Sequence, residues 1–310
     1  MKLLTLALTM LCIATPSFAS DFPAREVYQK YSPAVVVILA SGEDGKGMIG
    51  TGSIIAKDGL IITNAHVVFN KEQKALYPKV GVYLKGEKLT GSAREDMKKR
   101  YDVDVLNYDT KLDLAVLRIK ELDRKVEAIA LADPRDVGIG EEVIAIGHPE
   151  QGGLWTLTYG RISAEMKDFQ GVQGKDVYQT DASVNRGNSG GPLLDNKGRM
   201  VAVNSNIARV SGDGLSITGI NFAIKSSVVQ KWLKKDGVAL AYGVRPTNEA
   251  AIKVTTASRK GEETKKPGEA QDSEKKFTTP KRPYDLDDVL KAAEKDLDEI
   301  MDDMRAKKQN

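Results

Sequence analysis

Gly187-Asn188-Ser189-Gly190-Gly191-Pro192 is the stretch around which this chain is organised. A serine hydroxyl is a weak nucleophile unless a base takes its proton and nearby donors hold the oxyanion that forms. Glycines on both sides of Ser189 suit both needs, because they allow a sharp turn that a Cβ would not tolerate. They also let the backbone N–H groups of Gly187 and Ser189 converge on a carbonyl that comes close to the chain. Pro192 stops the turn, and Leu193-Leu194 reads as the start of a buried strand. Taken alone, a G-x-S-x-G run is equally an ordinary glycine turn, so the chemistry stands only if the chain also supplies a histidine and a carboxylate.

The histidine search is short, because the chain has only His66 and His148. His66 lies in Thr63-Asn64-Ala65-His66-Val67-Val68, directly after an apolar strand-like run. Asp113 lies in Lys111-Leu112-Asp113-Leu114-Ala115-Val116-Leu117, a carboxylate set among apolar residues. Burying an unpaired carboxylate is costly, so this setting predicts a hydrogen-bond partner, and an imidazole N–H is a good one. Chain order separates the alternatives. An α/β-hydrolase elbow needs a histidine after the serine, and none follows Ser189. An order of Asp113, His148, Ser189 would be subtilisin-like, but that fold needs parallel strands alternating with helices. His66, Asp113, Ser189 is the chymotrypsin order, which leaves His148, in Ile146-Gly147-His148-Pro149, as a turn residue.

The body of the chain reads as strands. Between Val35 and Ile224 the apolar runs are short and β-branched and are divided by glycine or polar turns: 35–39, 52–56, 60–63, 80–84, 114–119, 143–146, 155–158, 177–180, 200–204 and 220–224. That pattern predicts an all-β protein of barrels or sandwiches. Lys57-Asp58-Gly59 and Asn196-Lys197-Gly198 read as hairpin turns. Ser226 or Ser227 reads as the cap of a helix with Val228, Val229, Trp232 and Leu233 on one face. The Lys- and Arg-rich stretch 85–100 reads as a solvated surface loop, or else as a substrate-steering or anionic-partner surface.

At 310 residues, with 41% hydrophobic and 29% charged residues, the chain can bury a substantial core. A formal net charge of +3 gives no global electrostatic support for a nucleic-acid or membrane-surface role. At the N-terminus, Lys2 precedes the apolar run Leu3–Ile13, and Ser17-Phe18-Ala19 offers small residues where a signal peptidase reads. The expectation is a signal peptide over 1–19, cleaved after Ala19, and an exported protein, in the periplasm first or secreted second, with no stable membrane anchor. The single cysteine, Cys12, lies in that leader, so the mature chain has no disulfide or thiolate metal site; no cofactor or metal is expected.

At 63–68, 113–117 and 179–193 the sequence resembles the HtrA/Deg serine proteases, a group of the trypsin-like peptidases. The resemblance covers roughly Tyr28 to Lys235. It implies two perpendicular six-stranded antiparallel β-barrels over residues 20–240, with a boundary near 125–140 and the active site in the cleft between them. It implies His66 as general base, Asp113 as its orienter and Ser189 as nucleophile, with backbone N–H groups of Gly187, Asn188 and Ser189 as the oxyanion hole. It places Ser183 at the base of the primary specificity pocket and Asn204, Ser205, Asn206 and Asn221 along its walls, which predicts small or medium apolar residues before the cut. Trypsin-like zymogens have an aspartate where this chain has Asn188, so activation by a freed α-amino group is not expected. The chain also departs from the family at Arg186 and Lys225, where proline is usual, and at Asn221, near which glycine is usual.

After the helix near Lys235 about 75 residues remain, too few and too polar for the peptide-binding PDZ modules that such proteases usually carry, and 241–282 has the composition of a polar disordered linker. Residues 283–310 read as an amphipathic acidic helix whose seam is Leu286, Leu290, Ala293, Leu297, Ile300 and Met304. That face would serve a homo-oligomer, a partner protein or the protease body itself, or stay solvated. The sequence therefore predicts an exported serine endopeptidase acting on unfolded or exposed envelope proteins. A chaperone-like binding module with latent activity, and an esterase, are the alternatives.

Overall fold

The computed structural model describes residues 22–43, 46–150, 152–205, 219–238 and 240–243. The expected signal peptide, Asn206, nearly all of the expected linker and the expected amphipathic helix lie outside the described residues. After helix α1 (Ala24–Tyr31), the chain forms β1 (Val35–Ser41), β2 (Gly47–Ala56) and β3 (Leu60–Thr63). A one-turn helix α2 (Ala65–Val68) and a two-stranded ribbon, β4 (Phe69–Asn70) with β5 (Ala75–Leu76), follow. Then come β6 (Lys79–Leu84), the short α3 (Ala93–Asp96), β7 (Arg100–Asp109) and β8 (Leu114–Ile119). The second half contributes β9 (Glu142–Gly147), β10 (Thr156–Met166), β11 (Val177–Thr180), β12 (Pro192–Leu194), β13 (Met200–Ser205) and β14 (Asn221–Lys225), and closes on helix α4 (Ser226–Lys235).

Two closed, antiparallel, six-stranded barrels result, in the orders β1-β2-β3-β8-β7-β6 and β10-β11-β14-β13-β12-β9. The expected all-β architecture is therefore present. Closure removes exposed sheet edges, and the inward face of each strand fills the interior. Ile54, Ile61, Ile62 and Leu117 are fully buried in the first barrel and Ile144, Leu193 and Val203 in the second, each burial worth about 1.5–3 kcal/mol. The apolar segment 126–132 joins the barrels through backbone bonds. Ile129 N–H donates to Ile54 O at 2.8 Å, and Met200 N–H donates to Ala130 O at 2.8 Å. Trp155, 1% exposed, also ties the halves: its Nε1–H donates to Val35 O at 2.8 Å, while its own carbonyl accepts from Tyr28 Oη at 2.7 Å.

Three local readings differ from expectation. Strand β7 had no apolar run to announce it, because Asp102 and Asp104 face outward on an exposed barrel wall and only alternate positions turn in. Trp155 stands just before β10 with φ +53°, and the strand runs on to Met166. Helix α4 is capped by Lys225, not by a serine; the Ser226 hydroxyl instead donates to Ala132 O at 3.0 Å. The far end of α4 closes as a Schellman motif, with Gly237 at φ +79° and Val238 N–H returning to Leu233 O at 3.0 Å. The basic stretch 85–100 folds on itself: Asp96 accepts from the N–H and hydroxyl of Thr90, and Lys98 and Lys99 pair with Glu95 and Asp123.

Candidate active site

His66 is presented by α2, immediately after β3, and Asp113 by the tight turn before β8. Because β3 pairs antiparallel with β8, with Thr63 opposite Ala115, the two residues flank one end of the same ladder. Asp113 has φ +62°, a left-handed backbone that aspartate adopts more readily than most residues other than glycine. Here Asn64 Nδ2 donates to the Asp113 carbonyl at 2.9 Å. The carboxylate receives three further groups. His66 Nδ1 lies 2.9 Å from both oxygens, the His66 backbone N–H donates to Oδ1 at 3.1 Å, and Ser205 Oγ donates to Oδ2 at 2.9 Å. Burial alone would raise the Asp113 carboxyl, but these bonds, led by that of the His66 ring, hold it below its ordinary value. An ionised carboxylate only accepts, so Nδ1 carries the imidazole proton and Nε2 is left with its lone pair. The His66 and Asp113 side chains are 22% and 13% exposed, sheltered but reachable.

Ser189 arrives from the second barrel. Its carbonyl accepts from Thr51 N–H at 2.9 Å, and Gly190 N–H donates to Asn204 O at 2.8 Å. A Cβ at Gly190 would overlap Thr51 O and Thr63 Oγ1 and would lie 3.0 Å from Asn64 N, two residues before His66. The serine turn is thus pressed against the segment that carries the histidine, which requires glycine at 190. Gly187, at φ +93°, is equally constrained, since a Cβ there would overlap His148 O. The Arg186 carbonyl accepts from Glu150 N–H at 3.0 Å. In a planar trans peptide N–H and C=O point opposite ways, so the Gly187 N–H is directed away from the 149–150 segment.

His148 is fully buried, edge-on to Trp155 at 4.8 Å between ring centroids. Thr51 Oγ1 donates to Gly187 O at 2.5 Å and lies 2.9 Å from His148 Nδ1. A hydroxyl has one proton to give, so Nδ1–H donates to Thr51 and His148 Nε2 is left bare; it is buried without a partner. Burial pushes the His148 imidazole down to about 3, so it is neutral across the physiological range. His148 is therefore more than a turn residue: with Thr51 it fixes the carbonyl of Gly187.

The expected pocket residues divide. Asn221, 4% exposed, spans two segments: its Oδ1 accepts from Val184 N–H at 3.2 Å and its Nδ2 donates to Thr180 O at 3.3 Å. Ser183 lies on the segment so tied and is exposed, its carbonyl held by Thr158 Oγ1 at 2.9 Å. Asn204 is fully buried, its Nδ2 donating to Pro192 O at 3.1 Å. Ser205 reaches across the barrel interface to Asp113. Asn188 is 2% exposed and packs on Gly147, where a Cβ would lie 2.5 Å from its Oδ1. Lys225 is nearly buried, its ammonium on Glu165 at 2.6 Å and over the Tyr178 ring at 4.4 Å. Thr51 and the bond from Ser205 escaped the sequence reading. Their one local signal is a polar residue in a buried, otherwise small or apolar strand. Among the described residues no group of three or more His, Cys, Asp or Glu side chains could hold a metal, and no helix is long and apolar enough to cross a membrane.

The family model for the trypsin-like peptidase domain matches residues 50–203. A probable periplasmic serine endoprotease, DegP-like, of Brucella suis is 34% identical over 221 residues, covering 68% of this chain and 39% of the relative. Serine protease HTRA1 of Xenopus tropicalis is 34% identical over 230 residues, covering 71% of this chain and 44% of its own. The chain thus spans about two fifths of the length of these relatives. Among solved structures, the HtrA-type protease AlgW with tripeptide superposes with a TM-score of 0.54 at 28% identity, covering 68% of this chain and 62% of that one.

Proposed function

Because this chain carries a trypsin-like peptidase domain of the HtrA/Deg type, we propose that it is an exported serine endopeptidase acting on unfolded or exposed proteins, in a quality-control role in the cell envelope. The observation that carries this reading is the Asp113 carboxylate forked on the His66 ring, together with a glycine turn that is bonded to Thr51 through the Ser189 carbonyl and packed at Gly190 against the segment leading to His66. In the proposed mechanism Ser189 Oγ attacks the scissile carbonyl while His66 Nε2 accepts the hydroxyl proton. Asp113 keeps the proton of the ring on Nδ1 and stabilises the imidazolium. The N–H groups of Gly187 and Ser189, with that of Asn188 beside them, supply the oxyanion donors. His66 then protonates the leaving amine, and water, deprotonated by the same nitrogen, releases the acyl group.

The substrate is a protein or peptide. Asn221 draws the Thr180 and Val184 segments together where the resemblance puts a pocket wall, which favours small or medium apolar residues before the cut. Export is supported by the leader-like segment 1–19 and by the periplasmic description of the Brucella relative. The test is hydrolysis of labelled casein by the mature protein beside Ser189→Ala, together with covalent capture by a fluorophosphonate probe. Both signals should appear in the wild type and vanish in the variant. A wild-type protein that neither labels nor cleaves would sink the proposal.

A further inference from the structure

A groove of about 470 Å³ lies against α4. Leu112, Val228 and Trp232 give it an apolar floor, and Lys231, Lys234 and Lys235 stand at its rim. The three lysines are exposed, and none has an ion pair among the described residues. Leu112 is the residue before Asp113, so whatever fills the groove rests against the turn that aims the carboxylate at His66.

We propose that this groove is the docking site of the chain's own acidic segment 283–304, held in cis. Three observations converge on that occupant. The first is charge: between Pro283 and Met304 there are nine acidic residues and two lysines, to set against a rim of three exposed lysines that have no ion pair among the described residues. The second is pattern: Leu286, Leu290, Ala293, Leu297, Ile300 and Met304 give one apolar stripe if the segment is helical, and an apolar stripe flanked by carboxylates matches an apolar floor flanked by ammonium groups. The third is reach. The Leu240 carbonyl accepts from Gln230 Nε2 on α4 at 2.8 Å and Gly243 N–H donates to Leu131 O at 2.7 Å, so the described chain is still tied beside α4, the helix that lines the groove, shortly before it ends. A tether as long as 244–282 would span roughly 35 Å root-mean-square at the dimensions of an unstructured linker. A tether of that length presents the segment at about millimolar effective concentration, well above a second copy at micromolar protein. The groove has room for a few apolar side chains, which suits a helix stripe and not a folded partner.

The proposal is independent of peptidase activity, and so is its test. A carbodiimide joins a lysine amine to a carboxylate only where the two touch, and an equal mixture of full chains grown in 14N and 15N shows whether a link lies within one chain. The expected result is links from Lys231, Lys234 or Lys235 to acids between Glu294 and Asp303, all within single isotopes. In Leu290→Asp/Leu297→Asp, which adds carboxylates but destroys the stripe, their yield should fall at least tenfold with the thermal transition of the barrels unchanged. Mixed-isotope links would assign the groove to a second copy and overturn the cis assignment. Absence of links at these lysines, or undiminished links in the double variant, would overturn docking altogether.

Discussion

Replacing Thr51 by valine keeps the shape of a fully buried side chain and removes the hydroxyl between His148 and Gly187. Two polar groups are then stranded in the interior, the Gly187 carbonyl and the His148 Nδ1–H. Each unsatisfied buried group costs about 1–3 kcal/mol. Moving the imidazole proton to Nε2 gives no relief, because that nitrogen is buried without a partner as well. The valine methyl would also stand where the hydroxyl oxygen is 2.5 Å from Gly187 O, too close for carbon against oxygen, so the serine turn must shift. The expected loss is about 2–5 kcal/mol, or roughly 5–15 °C in Tm for a body of this size. The rate of fluorophosphonate labelling should fall at least tenfold, since the proposed oxyanion donors ride on that turn. Thr51→Ser is the control: it keeps both bonds, loses one methyl worth about 1 kcal/mol, and should label at nearly the wild-type rate. Differential scanning calorimetry and a labelling time course on the three proteins decide the matter. A valine variant melting within 2 °C of wild type and labelling normally would show that the bridge does not hold the turn.

His148 also sets a pH dependence. Its folded-state value, about 3, lies below the ordinary imidazole value of 6.5, so between these values the unfolded chain binds the extra proton. Its contribution to stability is complete above pH 6.5 and is lost as pH falls toward 3, by up to about 1.4 kcal/mol per pH unit; urea titrations at pH 7 and pH 5 should differ accordingly, and His148→Gln should flatten the slope. Asp113→Asn leaves one acceptor oxygen for the His66 ring, the His66 N–H and the Ser205 hydroxyl, which favours the wrong imidazole tautomer. We expect kcat on a peptide substrate to drop about 10³–10⁴-fold, comparable with the Ser-His-Asp template, while the melting curve stays cooperative. Asn221→Gly removes the tie between Thr180 and Val184. It should cost about 1–3 kcal/mol and, in a peptide library, shift cleavage toward larger residues before the cut; an unchanged profile would take Asn221 out of the pocket.

Much of this molecule was legible as sequence because the signals concerned are local. Glycines at 187, 190 and 191 announce a turn that no Cβ could enter, and short β-branched runs between turns announce barrel strands. Asp113 stands out because a carboxylate in an apolar run needs a partner, and chain order with only two histidines narrows that partner to His66. What lay hidden depends on register. Strand β7 shows no apolar run because its outer face is charged, and Lys225 displaced the serines as cap of α4 once Ser226 found the Ala132 carbonyl. Ser205 meets Asp113 across 92 positions and Thr51 meets His148 across 97, separations that no periodicity encodes. Local chemistry in the sequence determined which residues had to be buried, turned or paired. Only the closure of two barrels against each other, which brings groups from distant strands within 3 Å, decided with whom.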